Sequence, residues 1–299
     1  MGGSILVLDW LGKPVTRRAA GTSIWDVASY PLVPFSNRIA HGRFMADGKE
    51  VALASNFPGA EDTHTIHGFG WLGVWGVEAI GRGYAVLSYT YEAGEWPWSF
   101  NATQRFDLGE EEMTITLTLR NLGDSAMPAG LGIHPYFPCN AATTYHALHR
   151  GEWHNTPDCL PLMLDEREHA IDWWHGRPVA TRNVDTVYTQ RKGPITLRWP
   201  DRALGLTINP SANLGHTVVY TPGGADHVCV EPVSHSTDAV NRKDDASTGL
   251  VWLMPGETMT ASVALRPFEL TRNDHVAHGA LDSRQLATRR DALPAVHTL

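Results

Sequence analysis

Hydrophobic and polar residues alternate with a period of two along most of the chain. Residues 113–120 read MTITLTLR and residues 259–266 read MTASVALR, each with an apolar residue at every second position. Successive side chains of a strand point to opposite faces of a sheet, so this spacing is typical of a strand with one buried face. A turn at Pro255-Gly256 precedes the second run.

Six shorter runs rich in β-branched and aromatic residues predict further strands. They span residues 5–10, 85–91, 195–199, 204–208, 216–220 and 227–230. Helical periodicity is scarce before residue 270, which favours an all-β fold, a large antiparallel β-sandwich. We expect residues 1–270 to form a single domain. Residues 271–299 form a C-terminal tail in the same interpretation, with a short polar helix over 280–293.

Composition and charge limit the class of partner. Of 299 residues, 42% are hydrophobic and 19% are charged, and the formal net charge is −8. This charge gives no general attraction to nucleic acid or to anionic membranes, so we expect a small-molecule partner and neither of those two. Residues 1–10 lack a basic stretch, and Cys139, Cys159 and Cys229 are too far apart for a CxxC pair. Both features favour a cytoplasmic protein. We expect it to be a monomer or a homodimer.

Two motifs suggest cofactors, but their contexts argue against them. Gly68, Gly70 and Gly73 have the GxGxxG spacing of dinucleotide sites, yet strand-like alternation follows where a helix would be required. The histidine pairs His64/His67 and His146/His149 have i, i+3 spacing, which places two residues on opposite faces of a strand. We therefore expect neither a cofactor nor a metal.

Four segments concentrate polar residues where strands or turns usually carry apolar or small ones: residues 36–44, 64–71, 132–138 and 228–242. His134 lies in GIHPYFP, and a hydrogen-bonded core histidine is the structural alternative there. Glu231 follows three apolar residues, and a carboxylate at the end of a buried strand is costly unless it is paired or used. A buried salt bridge to Arg38 is the alternative for Glu231.

Six short motifs occur in register along residues 5–268: NRI from Asn37, HG from His67, HPYF from His134, NVDTVY around Asp185, EP from Glu231, and LMPGET at 253–258. In their order and spacing they resemble the aldose 1-epimerase (galactose mutarotase-like) family. That family has a large antiparallel β-sandwich, the galactose mutarotase-like supersandwich, which agrees with the strand pattern. The resemblance implies an isomerase that interconverts the α and β anomers of an aldose without metal or cofactor.

Carried onto this chain, the resemblance implies that Glu231 is the general base and His134 the general acid. Arg38 with Asn37, His67 and Asp185 would hold the sugar hydroxyls. Two departures put the identity of the sugar in doubt: the histidine segment reads IHPYF instead of NHTYF, and Val218 replaces a sugar-binding glutamine. A glutamate near pKa ~4.3 and a histidine near ~6.5 would need only modest tuning.

Two alternatives stay open at this point. A mutarotase of a phosphorylated or sulfonated hexose would need cations at the pocket mouth, for which Arg17, Arg18, Arg43, Arg82 and Arg105 are available. A non-catalytic sugar-binding β-sandwich is the other alternative. Trp71, Trp96 and Trp98 are candidates for covering a pyranose ring, although packing within the sandwich is the stronger expectation for any single one.

Overall fold

Strands form most of the described structure. The computed structural model of the protein describes residues 2–21, 23–57 and 63–271. Its strands are β1 (Asp9–Trp10), β2 (Lys13–Pro14), β3 (Ser29–Leu32), β4 (Arg38–Ile39), β5 (Arg43–Ala46), β6 (Lys49–Ala52), β7 (Thr65–Ile66), β8 (Gly76–Gly81), β9 (Tyr84–Tyr91), β10 (Phe100–Leu108), β11 (Met113–Asn121), β12 (Met127–Ala129), β13 (Gly132–Pro138), β14 (Thr144–Asn155), β15 (Pro161–Asp172), β16 (Asp185–Thr189), β17 (Lys192–Trp199), β18 (Leu204–Pro210), β19 (His216–Tyr220), β20 (His227–Val233), β21 (Val251–Leu253) and β22 (Thr258–Glu269).

Helical structure in the described residues is limited to short 3₁₀ turns, at Ala40–Gly42, Val179–Thr181, Pro200–Arg202, Ala239–Arg242 and Ala246–Thr248. None of them has the length or the apolar composition that a membrane-spanning helix requires. The predicted helix over 280–293, and the tail as a whole apart from residue 271, lie outside the described residues.

One long sheet organises the fold. Its strands follow the order β3-β13-β20-β19-β16-β14-β17-β18-β22-β11-β10-β9-β8, and β15 pairs with the outer side of β14. The named strands pair antiparallel throughout the sheet. Residues of β13, second in this order, and of β10, third from its other end, share one hydrophobic core, so the sheet folds over and its two halves pack as a sandwich. The predicted fold class is therefore confirmed.

The period-two pattern identifies the long strands correctly. The runs at 113–120 and 259–266 become β11 and β22, which pair along their length with Ile115 opposite Val263. The prediction for residues 5–10 is wrong except at Asp9–Trp10. Ile5 makes one bridge to Ser29, whereas the side chains of Leu6 and Val7 are each 53% exposed. An apolar run without a burying partner does not extend a strand here.

The glycines of the GxGxxG spacing serve a turn. The amides of Phe69 and Gly70 both donate to the carbonyl of Val33, at 2.9 and 3.0 Å. Gly68 has φ +68°, and a Cβ there would lie 2.2 Å from the same carbonyl oxygen. The segment therefore needs glycine for close backbone approach and left-handed geometry. It leads into β8, and no helix follows it in the described residues, as the sequence context predicts.

Candidate active site

His134 and Glu231 face each other across neighbouring strands. The register of β13 and β20 pairs Tyr136 with Cys229, which places His134 opposite Glu231 on the same face of the sheet. The Nε2 atom of His134 lies 3.1 Å from Oε1 of Glu231, and their side chains are only 8% and 3% exposed. The backbone pairing of these two neighbouring strands thus holds an acid–base pair in contact.

Side chains of the two adjacent strands flank this pair on the same face of the sheet. Tyr30 on β3 is the register partner of His134, and its ring stacks on the imidazole with centroids 4.5 Å apart at 27°. On the other side, Val218 on β19 is the partner of Glu231. The pair is therefore flanked by an aromatic ring that fixes the imidazole plane and by an aliphatic side chain.

A second group of residues lies at the ends of the short paired strands β4 and β7: Asn37 precedes β4, Arg38 begins it, and His67 follows β7. The amide of Asn37 donates to Nδ1 of His67 at 3.2 Å, while the amide of His67 donates to the carbonyl of Asn37 at 3.0 Å. Oδ1 of Asn37 accepts from the Arg38 amide at 2.8 Å. Asn37 and His67 have φ values of +54° and +62°, a conformation that non-glycine residues rarely adopt and that is concentrated at functional sites.

The hydrogen bond to His67 also determines its tautomer. Burial, followed by the charges of His134 and Arg38, keeps the pKa of His67 well below its ordinary value, so the ring is neutral. Because Nδ1 accepts a backbone hydrogen bond, the ring proton resides on Nε2. His67 therefore offers a donor through Nε2.

These residues surround one cavity of about 340 Å³, near the lower end of the range for small-molecule sites. All six residues singled out from the sequence line it: Asn37, Arg38, His67, His134, Asp185 and Glu231. Nη1 of Arg38 lies 3.7 Å from Oδ2 of Asp185. The remaining lining residues are Arg17, Trp25, Tyr30, Phe57, Ile66, Tyr136, Val218, Tyr220 and His227.

Burial shifts the two facing groups more than the sequence suggests. Burial lowers the pKa of His134 to about 3. Burial also raises the pKa of Glu231 well above its ordinary value, assisted by the negative charge of Asp185 and opposed by Arg38. The expectation of modest tuning was therefore wrong, because neither group is exposed enough to keep its solution value. Both shifts favour the uncharged forms, a neutral imidazole and a protonated carboxyl.

Two buried atoms of this pair have no hydrogen-bond partner among the described residues: Nδ1 of His134 and Oε2 of Glu231. Leaving a buried polar group unsatisfied costs about 1–3 kcal/mol. A polar ligand in the cavity would relieve this cost if its hydroxyl groups or ring oxygen reached these atoms. The site is therefore prepared for a ligand that both donates and accepts hydrogen bonds.

The tryptophans proposed from the sequence do not line the cavity. Trp71, Trp96 and Trp98 are at most 3% exposed and pack within the protein, as the packing alternative states. Trp25 lines the cavity instead, with its ring 4.6 Å from that of Phe57. Sequence reasoning missed this pair because no alternation or motif marks the segments that carry it.

The arginines considered for an anion site do not all line the cavity, and neither histidine of the pair His146/His149 lines it. Of the five candidate arginines for an anion site, Arg17 lines the cavity, whereas the others do not. The pair His146/His149 has separate partners, with His146 Nδ1 2.7 Å from Asp172 and His149 Nε2 3.0 Å from Thr217. The i, i+3 spacing thus does not bring these two rings to one ligand.

Comparison with known proteins identifies the family of the chain. A family model described as aldose 1-epimerase matches residues 2–266. Uncharacterized protein YphB of Escherichia coli (strain K12) is 29% identical over 249 residues, which cover 81% of this chain and 84% of that protein.

Solved structures extend the comparison. One from Escherichia coli K12, whose assignment as an aldose 1-epimerase is provisional, has a TM-score of 0.82 at 28% identity, covering 90% of this chain and 94% of its own. A galactose 1-epimerase from Lactobacillus acidophilus NCFM has a TM-score of 0.69 at 14% identity, covering 90% of each chain. The second likeness concerns the fold alone.

Proposed function

Because the chain belongs to the aldose 1-epimerase family, we propose that it is a mutarotase, an isomerase that interconverts the α and β anomers of an aldose. The observation that carries this proposal is the buried contact of 3.1 Å between His134 and Glu231 at the cavity. A non-catalytic sugar-binding protein has no need for an acid–base pair held in this way. Anomer exchange is a reaction that needs one acid and one base.

In the proposed reaction, the Glu231 carboxylate removes the proton of the C1 hydroxyl while His134 delivers a proton to the ring oxygen. The bond between C1 and the ring oxygen breaks, and the sugar opens to an aldehyde. After rotation about the C1–C2 bond, the ring oxygen attacks the other face of C1 and both proton transfers run in reverse. Either transfer alone would leave a high-energy ion, and each positioned group typically contributes about 10²- to 10⁴-fold in rate.

The neutral resting form of the pair is compatible with these roles. Transfer of the shared proton from Glu231 to His134 across the 3.1 Å contact produces the carboxylate and imidazolium without changing the number of protons. Arg38 favours the carboxylate form electrostatically. Sugar hydroxyls that bind the unsatisfied atoms would stabilise the same ion pair in a site from which bulk water is excluded.

The other predicted site residues have roles in holding the sugar. Arg38 presents a planar guanidinium suited to two adjacent hydroxyls, and His67 donates through Nε2. Asp185 accepts hydrogen bonds beside Arg38. Trp25 and Phe57 supply aromatic surface for the C–H face of a pyranose.

A second candidate substrate class is an aldose with a phosphate or sulfonate group, and Arg17 is the observation that favours it. This arginine lines the cavity and lies over the Tyr136 ring, 3.7 Å from its centroid. Its Nε and Nη2 atoms donate to the carbonyls of Val27 and Trp25, so the cation is held in place. A fixed guanidinium suits an anionic substituent.

Polarimetry on freshly dissolved α-D-glucose, α-D-galactose and α-D-glucose 6-phosphate tests both candidates. We expect faster mutarotation with at least one of these sugars, and Glu231→Gln should lower kcat about 10²-fold or more with little change in affinity. Glu152→Gln is the matched control, since Glu152 is also buried but pairs with Arg182 and Tyr188 away from the cavity. Near wild-type turnover by Glu231→Gln would contradict the proposal.

A further inference from the structure

A thiol lies next to the acid–base pair. Cys229 precedes Glu231 by two positions on β20, so both side chains point to the same face. One ligand atom each from His134, Cys229 and Glu231 lies within 4.8 Å of the other two, and all three residues are buried. The proposed reaction uses the imidazole and the carboxylate but gives the thiol no part.

A nitrogen, a sulfur and an oxygen are donor types that Zn²⁺ binds. This ion takes three protein ligands at sites that keep a fourth position open, with ligand bonds of about 2.0–2.3 Å. The pair borders the cavity, so the fourth position would face it. We propose that His134, Cys229 and Glu231 form a Zn²⁺ site that inhibits the enzyme when it is filled.

The two ionisable ligands can balance the charge of a divalent cation. Ionised Cys229 and Glu231 together neutralise Zn²⁺, and binding releases two protons to solvent: the thiol proton and the proton shared by the pair. Arg17 and Arg38 also line the cavity, and their positive charges oppose a cation. Mg²⁺ prefers an all-oxygen shell, so the thiol and imidazole should select against it.

Inhibition follows from the identity of the ligands. An imidazole nitrogen and a carboxylate oxygen that are bound to Zn²⁺ cannot move a proton, and the ion would also occupy space beside the sugar. The metal site itself does not depend on the proposed function, whereas the loss of mutarotation does. Direct binding must therefore be measured separately from activity.

Co²⁺ is the probe for binding, because a Co²⁺–thiolate bond gives a near-ultraviolet charge-transfer band. Protein freed of metal by chelation should bind one equivalent of Co²⁺ with this band, and Zn²⁺ should abolish the band by displacement. Cys229→Ser and Cys229→Ala should both lose it. Cys159→Ser is the matched control, since the Cys159 thiol lies 3.5 Å from Asp185, at the edge of the same site; this variant should keep the band.

In the activity arm, each protein is compared with itself with and without metal. Zn²⁺ should inhibit the wild type competitively with sugar, Mg²⁺ should not, and both Cys229 variants should need at least about 100-fold more Zn²⁺. Absence of the Co²⁺ band in wild type, or its loss in Cys159→Ser but not in Cys229→Ser, would overturn the site. A band in a protein without mutarotase activity would support the site and contradict the proposed function instead.

Discussion

The two faces of β13 and β20 have different properties although their residues alternate along the same two strands. On one face, Ile133, Phe137 and Val230 are part of the large hydrophobic core. On the other, His134 and Glu231 are equally buried but border the cavity. The first face is apolar, whereas the second also carries two buried atoms, Nδ1 of His134 and Oε2 of Glu231, without a hydrogen-bond partner in the described part of the chain.

This comparison shows how one strand serves stability and chemistry at once. Alternation along a strand separates the two sets of side chains by a single residue. The apolar face holds the backbone in place, and the backbone register positions the reactive groups. Substitutions on the two faces should therefore change different measured quantities.

The largest effect should come from buried polar groups, as a dependence of the free energy of unfolding on pH. Burial lowers the pKa of His149 and His216 to about 3, and that of His235 to about 4. Each would bind a proton near pH ~6.5 in the unfolded chain, so the stability present above this pH is lost as the pH falls toward the folded values. Between about pH 7 and about pH 5 we expect a loss on the order of 5 kcal/mol in the free energy of unfolding.

Urea denaturation across this pH range measures that loss. Glu231 acts in the opposite direction because burial raises its pKa. It is one group against these three histidines and against His134 and His67, whose pKa values burial also lowers. His149→Gln should reduce the slope of stability against pH by about one proton. A free energy of unfolding that stays constant over this range would show that the buried histidines do not resist protonation.

A smaller but still large effect is expected on the apolar face. Phe137 is fully buried, with its ring 6.5 Å from that of Trp199, and Phe137→Ala should reduce the free energy of unfolding by about 3–5 kcal/mol. The kcat of the folded fraction should change little, since the side chain points away from the cavity. Urea denaturation and polarimetry on one preparation test both, and Phe137→Leu should lose less stability. An equal fall in kcat would show that the two faces are coupled.

The smallest effect should come from exchanging one cation for another. Arg38→Lys keeps the charge beside Asp185 but loses the planar fork, so kcat/KM should fall about 10-fold with stability unchanged. Arg43→Lys is the control, because Arg43 is exposed and pairs with Glu50. An unchanged kcat/KM for Arg38→Lys would assign Arg38 a structural role.

The long strands could be predicted because one face of each contacts the core and the other does not, so apolar and polar residues alternate along the sequence. β11 and β22 have apolar residues facing the core at every second position. The run at residues 5–10 contains apolar residues of the right kind, but its neighbours leave Leu6 and Val7 exposed. Burial partners are a property of the whole fold, so a local pattern could not show this.

The candidate site was predictable only in part. Six residues were available from motifs, and all of them line the cavity. Tyr30 was not, because its stacking on His134 depends on the pairing of β3 with β13, far apart in sequence. The shifted pKa values were missed for a similar reason, since desolvation depends on what surrounds a group in three dimensions.

The register of β13 and β20 has a consequence for the specific activity of a purified preparation. A slip of one residue between these strands would turn His134 or Glu231 to the opposite face and expose its apolar neighbours. Such a molecule would lose activity entirely instead of retaining a fraction of it. Under the proposed function, specific activity would therefore be proportional to the fraction of molecules with correctly paired strands. A preparation with half the maximal specific activity would be a mixture of native and misassembled chains.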